Sequence, residues 1–216
     1  MIFCNAARPN PRGLRMYLLE KCLTLPIREM DVDAGENRRP EFIQHNPGGQ
    51  VPVLILDDGF WLAETGAIFQ YLEEKYPVPP LLGSTPEERA ETRMWQRRIE
   101  RRITEPLYAA FHYGPAAAMY RKRMLILPEC VPGLEKLVHD GLLWLDALLV
   151  GRTVIVPHRF TVVDIVLYTA LDFGSRVGQP YDSGLRNLHA WFTTMDNRPS
   201  APASLHPKAT VTGMRY

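Results

Sequence analysis

Two short stretches carry the residues best suited to chemistry. Asn46-Pro47-Gly48-Gly49-Gln50-Val51-Pro52-Val53-Leu54 is followed ten residues later by Glu64-Thr65-Gly66-Ala67-Ile68. A proline at the mouth of a strand removes one backbone donor, and a cis Val51-Pro52 bond would turn the carbonyl and N–H of Val51 outward, where an extended peptide could pair with them. The second stretch opens a helix with an acid and a hydroxyl. Unpaired N–H groups, the positive end of the helix dipole and the Thr65 side chain together favour a carboxylate there, while Glu64 suits an ammonium. Each piece also has a plain structural reading. Pro52 can start an edge strand, Glu64 and Thr65 can cap a helix, and a nearby cation such as Arg38 can be solvated.

The chain that must position these groups has 216 residues, 46% hydrophobic and 23% charged, which is the composition of a folded globular protein of one large or two small domains. Twenty-five Lys and Arg against 24 Asp and Glu leave a net charge of +1, so no global field draws a polyanion and nucleic acid is not an expected partner. The longest apolar run, 142–150, is broken by Asp146 and is too short to span a bilayer. The N-terminal residues run from Met1–Cys4 straight into Asn5, Arg8, Pro9 and Pro11, unlike a signal peptide, so a cytoplasmic location is expected. Cys4, Cys22 and Cys130 form no Cys-x-x-Cys pair, and the six histidines show no spacing that sets two ligands on one helix face. No metal site is expected.

Hydrophobic periodicity divides the chain into unlike halves. Residues 1–77 read β-α-β, a loop with a short helix, then β-β-α: a strand at 1–4, a helix carrying Leu14, Tyr17, Leu18 and Cys22, a strand at 27–32, a hairpin turning at Asp58-Gly59, and a helix over 64–76. Four prolines in 77–86 suit a stiff connection, and residues 78–88 are assigned as the linker. An all-α domain follows over 89–205, with helices near 87–111, 116–127, 133–149, 162–173 and 185–197, and 206–216 forms a loosely held tail. Thr161-Val162-Val163-Asp164 reads as a capping box opening a core helix. Arg93, Arg97, Arg98, Arg101 and Arg102, interrupted by Glu91, Glu100 and Glu105, read as a solvated helix face or a subunit interface rather than a phosphate surface.

These segments resemble the cytosolic glutathione transferases over nearly the whole chain. Asn46 to Leu54 is similar to that family's Asn-Pro-x-Gly-x-Val-Pro-x-Leu motif, and Glu64 to Ile68 to its Glu-Ser-x-Ala-Ile motif, with Thr65 keeping the hydroxyl of the usual Ser. Residues 160–165 resemble the capping box of its helical domain, and 15–21 its first helix. The resemblance implies an α/β thioredoxin-like domain (βαβαββα) with a cis proline, a C-terminal helical bundle, and a homodimer. It also implies reduced glutathione as cosubstrate. Val51, presented by Pro52, would pair with the cysteinyl backbone, Glu64 and Thr65 would hold the γ-glutamyl end, and Gln50 and Arg38 would face the glycyl carboxylate.

One departure from the family pattern bears on catalysis. A glutathione thiol has a reference pKa of about 8.5, so only a few per cent is thiolate at neutral pH. Much of the family supplies a Tyr, Ser or Cys after the first strand, but Asn5-Ala6-Ala7-Arg8-Pro9-Asn10-Pro11-Arg12 contains none, and Cys4 lies too early. The loop is similar to the Ala-Pro-Asn-Pro-Arg pattern of atypical bacterial and fungal members. The candidates to stabilise the thiolate are the Arg8 guanidinium, the Asn10 amide and the positive end of the helix beginning near Arg12. Tyr108, Phe111 and Tyr113 follow a helical stripe that suits either an apolar pocket for an electrophile or core packing, with His112 placed to polarise a water. The expected activity is conjugation of glutathione to an apolar electrophile, as in detoxification. The alternatives are a glutathione-dependent isomerase, dehydratase or dehalogenase, and a non-catalytic binding module on the same fold.

Overall fold

The structure, a computed structural model, describes residues 1–216. It comprises two compact units, Met1–Ser84 together with Pro199–Tyr216, and Thr85–Arg198.

The first unit is built on a four-stranded sheet in the order β2-β1-β3-β4, made of β1 (Ile2–Asn5), β2 (Ile27–Glu29), β3 (Val53–Ile55) and β4 (Trp61–Leu62). β1 runs parallel to β2 and antiparallel to β3, and β3 is antiparallel to β4. The parallel pair needs a crossover, supplied by α1 (Pro9–Glu20), whose Leu14, Met16, Tyr17 and Leu18 are buried. The tight β3–β4 connection uses Asp58-Gly59, with Gly59 at φ +87°. Between β2 and β3 the chain makes only one short helix, α2 (Pro40–Ile43), and α3 (Thr65–Lys75) follows β4. Cys4, Ala6, Met30, Phe42, Val51 and Val53 form one apolar cluster, which fastens the residues on either side of Pro52 to the sheet.

The second unit is helical. α4 (Pro86–Ile99) starts from Thr85, whose side chain accepts from the Glu88 N–H, and passes through a π turn at Glu100–Thr104 into α5 (Glu105–Tyr113). α6 (Ala117–Tyr120), α7 (Val131–Leu148), α8 (Val162–Gly174) and α9 (Arg186–Asp196) complete it. The Thr161 box is formed in both halves. Thr161 accepts from a first-turn N–H, and Asp164 returns to the Thr161 N–H at 3.0 Å. Asp164 also accepts from the Ile155 N–H and from Trp191 Nε1, each at 2.9 Å, so one buried carboxylate ties α8 to the preceding loop and to α9. Burial pushes that carboxyl up to about 6, against the pull of these donors. Asp146 accepts from the Leu188 N–H at 2.8 Å and so serves the first turn of α9 from within α7.

The architecture corrects several expected boundaries. The second strand stops at Glu29, and the helix expected over 116–127 shrinks to the four residues of α6, none of them buried, with Met119, Met124 and Leu125 all partly or largely exposed. The unit boundary falls at Ser84/Thr85 because the Pro86 helix start lies inside the assigned 78–88 linker. Most consequentially, the residues beyond Pro199 are neither part of the helical unit, as 89–205 implied, nor a loose tail at 206–216. They form α10 (Ser200–Ala203) and α11 (Lys208–Thr212), bury Tyr216, and belong with α1.

Candidate functional site

The sheet directions bring the candidate residues of the first unit to one end. β1 and β2 finish there, β3 begins there and β4 finishes there, since Asn5 pairs with Glu29, Cys4 with Val53, and Leu54 with Leu62. Continued past the ladder, the same registers set Val51 level with Ala6 on one side and Pro52 level with Glu64 on the other.

The Val51–Pro52 peptide is cis. The Val51 side chain is buried in the apolar cluster, while neither its N–H nor its C=O takes part in a hydrogen bond within the protein. The preceding loop is shaped from below. Asn46 Nδ2 donates to the Gln50 carbonyl at 2.8 Å, Asn37 Nδ2 to the Gly49 carbonyl at 2.7 Å, and Arg38 Nη1 to the Gly48 carbonyl at 3.3 Å. Gly49 has φ +58°, a left-handed conformation that favours glycine, and the Arg38 guanidinium packs directly against it. Arg38 therefore supports the loop, and Gln50 is exposed on it. Asn37 and Asn46 were missed from the sequence. The Asn-Pro-Gly-Gly run signals a turn, but not which distant amide braces it.

Glu64 occupies φ +66°, ψ +115°, a conformation rare for a residue with a Cβ, and then hands its carbonyl to the Ile68 N–H at 3.0 Å to start α3. Neither its side chain nor that of Thr65 caps the helix. The N–H groups of Thr65, Gly66 and Ala67 have no partner within the protein. Three donors, a hydroxyl and an exposed carboxylate thus face outward together beside the open backbone of Val51.

The loop after β1 is organised differently. α1 starts at Pro9, so Arg8 is its N-cap. Pro9 and Pro11 have no N–H, the Arg8 N–H goes to the Ala6 carbonyl at 2.8 Å, and the Arg12 N–H goes to the Arg8 carbonyl at 3.1 Å. Only the Asn10 N–H is left unbonded in that first turn, at the positive end of a 12-residue helix. The Arg8 guanidinium is engaged by the Asp33 carboxylate and by the Ala7 carbonyl at 2.7 Å, which neutralises its charge locally. Cys4 is fully buried and burial pushes its thiol up, so it supplies no thiolate.

In the helical unit, Phe111 packs edge-on against Phe173 with ring centroids 5.0 Å apart, and Tyr108 lies 6.3 Å from the same ring. Tyr108, Phe111, His112 and Tyr113 are all half-buried. His112 packs on Tyr120 at 4.1 Å, and burial holds its pKa below the ordinary value, which keeps the imidazole neutral near pH 7. A separate cavity of about 240 Å³ is lined by Leu107, Val138, Leu142, Leu171, Gln179 and Tyr181 among others, and by none of the aromatic stripe.

Comparison with known proteins agrees with this fold. The family model described as glutathione S-transferase, N-terminal domain, matches residues 7–75, and that of the glutathione S-transferase C-terminal domain matches residues 128–199. The chain is 30% identical over 207 residues to glutathione S-transferase 2 of Saccharomyces cerevisiae, covering 93% of this chain and 87% of that protein. It superposes on the crystal structure of Gtt2 from Saccharomyces cerevisiae with a TM-score of 0.86 at 29% identity, covering 95% of this chain and all of that one. A glutathione S-transferase from Methylobacterium radiotolerans, solved in complex with glutathione sulfonate, superposes with a TM-score of 0.75 at 26% identity, covering 94% and 93% of the two chains. The chain belongs to the glutathione S-transferase family, with a thioredoxin-like N-terminal domain and a helical C-terminal domain. No helix is long and apolar enough to cross a membrane.

Proposed function

We propose that the protein is a glutathione transferase that holds glutathione on the first unit, ionises its thiol there, and adds the thiolate to an electrophilic carbon of an apolar small molecule. The observation that carries this reading is the open backbone of Val51 beside the unused donors and side chains at the start of α3. Glutathione is complementary to that arrangement. Its cysteinyl main chain pairs with the N–H and C=O of Val51, its γ-glutamyl carboxylate lies on the N–H groups of Thr65 to Ala67 and the Thr65 hydroxyl, and its ammonium meets Glu64. Gln50 reaches the glycyl carboxylate.

The thiol then lies toward the loop after β1. Lowering its pKa by about 2 units requires about 2.7 kcal/mol of differential stabilisation. A hydrogen bond to a charged group contributes about 1.5–3 kcal/mol and a helix terminus about 0.3–1 kcal/mol, so the Asn10 N–H at the head of α1 suffices in magnitude. Arg8 adds little in this account, because Asp33 already holds its charge. The thiol proton leaves to solvent. The carbon–sulfur bond forms as the leaving group departs or as a double bond takes up the addition. Positioning supplies most of the acceleration. The reading includes a cytoplasmic location and a homodimer, and sedimentation equilibrium of the purified chain tests the latter.

The chemistry is tested by incubating the protein with glutathione and a nitro-activated aryl chloride and weighing the product by mass spectrometry. An enzyme-dependent thioether whose rate falls about fivefold to tenfold in Thr65→Val, the loss of one hydrogen bond of about 1–1.5 kcal/mol, supports the reading. Absence of any conjugate with a panel of electrophiles overturns it.

A further inference from the structure

The C-terminal segment supplies none of the glutathione contacts proposed above, yet it is bound to the thiol loop by the buried Arg12 and the half-buried Arg15. Arg12 is fully buried and donates from Nη1 to the Arg215 carbonyl at 3.0 Å, from Nη2 to the Ala201 carbonyl and from Nε to Ser204 Oγ, each at 3.3 Å. Arg15 bridges the two sides directly. Its Nε donates to the Ser204 carbonyl at 2.8 Å, and its Nη1 donates to the Asn5 side-chain oxygen and to the Ala6 carbonyl at 3.1 Å. The Asn5 amide continues to Glu29, and the other Glu29 oxygen meets His206 Nε2 of the segment at 3.0 Å. The segment is closed on itself by the His206 N–H on the Tyr216 carbonyl at 2.7 Å.

The Ala6 carbonyl is the focus of this network. It accepts from Arg15 and also from the Arg8 N–H, and two residues after Arg8 comes the Asn10 N–H at the start of α1. A planar guanidinium that must find acceptors on both sides fixes the separation and tilt of the groups it joins. Val51, Glu64 and Thr65 stand outside the network.

We propose that Arg15, braced by the C-terminal segment 199–216, is a positioning residue for thiol activation, aligning the loop after β1 without contributing to glutathione affinity. This rests on the reading of the site given above. The step it serves is ionisation of the glutathione thiol, in which the S–H proton passes to solvent and the thiolate sulfur accepts from the Asn10 N–H. Displacing that donor by about 1 Å is enough to cost about 100-fold in a positioned reaction.

The test uses the full chain carrying Arg15→Lys, which keeps the charge and removes the fork. Affinity for S-methylglutathione, which has no ionisable thiol, is measured by calorimetry, and the bound glutathione thiol is titrated by its ultraviolet thiolate absorbance. The expected result is affinity for S-methylglutathione within about twofold of wild type, a bound-thiol pKa raised by about one pH unit, and kcat/KM for glutathione reduced about tenfold near neutral pH. Glu29→Gln, at a side chain 55% exposed, is the second variant and is expected to raise the thiol pKa in the same direction by less. An unchanged pKa in folded Arg15→Lys overturns the proposal, as does parallel loss of affinity. If Arg15→Lys does not fold, an unchanged pKa in Glu29→Gln overturns it. A wild-type protein that binds glutathione without lowering its thiol pKa instead overturns the underlying reading of the site.

Discussion

Replacing Glu64 by glycine separates what its carboxylate does from what its backbone costs. At φ +66°, ψ +115° the residue occupies a sparsely populated region, where a residue with a Cβ is strained by about 1–3 kcal/mol and glycine is not. Glycine returns about 0.5–1 kcal/mol of this through the greater freedom of the unfolded chain. The net gain is about 1 kcal/mol, which for a chain of this size raises Tm by about 2–4 °C. The same change removes the charged partner of the glutathione ammonium, an interaction of about 1.5–3 kcal/mol, so affinity falls about 10-fold to 100-fold. Glu64→Gln keeps the backbone strain and discards only the charge, and it is expected to weaken binding with Tm nearly unchanged. Calorimetric titration with glutathione and thermal unfolding monitored by circular dichroism read the two effects independently. A lower Tm for Glu64→Gly, or unaltered glutathione affinity in both variants, refutes the idea that strain at this position is maintained for binding.

Asp164→Asn turns an acceptor of three buried donors into a group that faces them with its own N–H, and is expected to cost about 3 kcal/mol or more in urea unfolding. Gly141→Ala, whose Cβ would lie 2.6 Å from the Arg102 carbonyl, forces α7 away from the π turn and should cost about 1–3 kcal/mol by the same assay. Because burial depresses the pKa of His112, the unfolded chain takes up that proton first as pH falls. The folded state therefore loses stability as pH drops through about 6.5, the unfolded value, and His112→Gln should flatten that slope in unfolding curves measured between pH 5 and 8.

Much of the N-terminal architecture was legible because its signals are local. Alternation and turn residues mark β3 and β4, and the Thr161–Asp164 spacing marks the head of α8, whereas α1, expected to begin near Arg12, begins at Pro9. The choice among candidates for thiol stabilisation was not legible. It depends on Asp33, 25 residues away, engaging Arg8, and on two prolines, neither with an N–H, isolating the Asn10 N–H. The C-terminal segment misled for the converse reason. It has no apolar periodicity, since it is held less by a hydrophobic stripe than by carbonyl groups offered to Arg12 and Arg15 some 190 residues earlier. Backbone acceptors carry no residue-type signature, so a long-range clasp of this kind is silent in the sequence.

The central claim, that this site binds glutathione and activates its thiol, is tested most directly by titrating the wild-type protein with bound reduced glutathione. Thiolate absorbance near 240 nm is followed from about pH 5 to 10, with oxidised glutathione as the blank. The account predicts a bound-thiol pKa about 2 units below the free value of about 8.5. A bound thiol that titrates at the free value contradicts it.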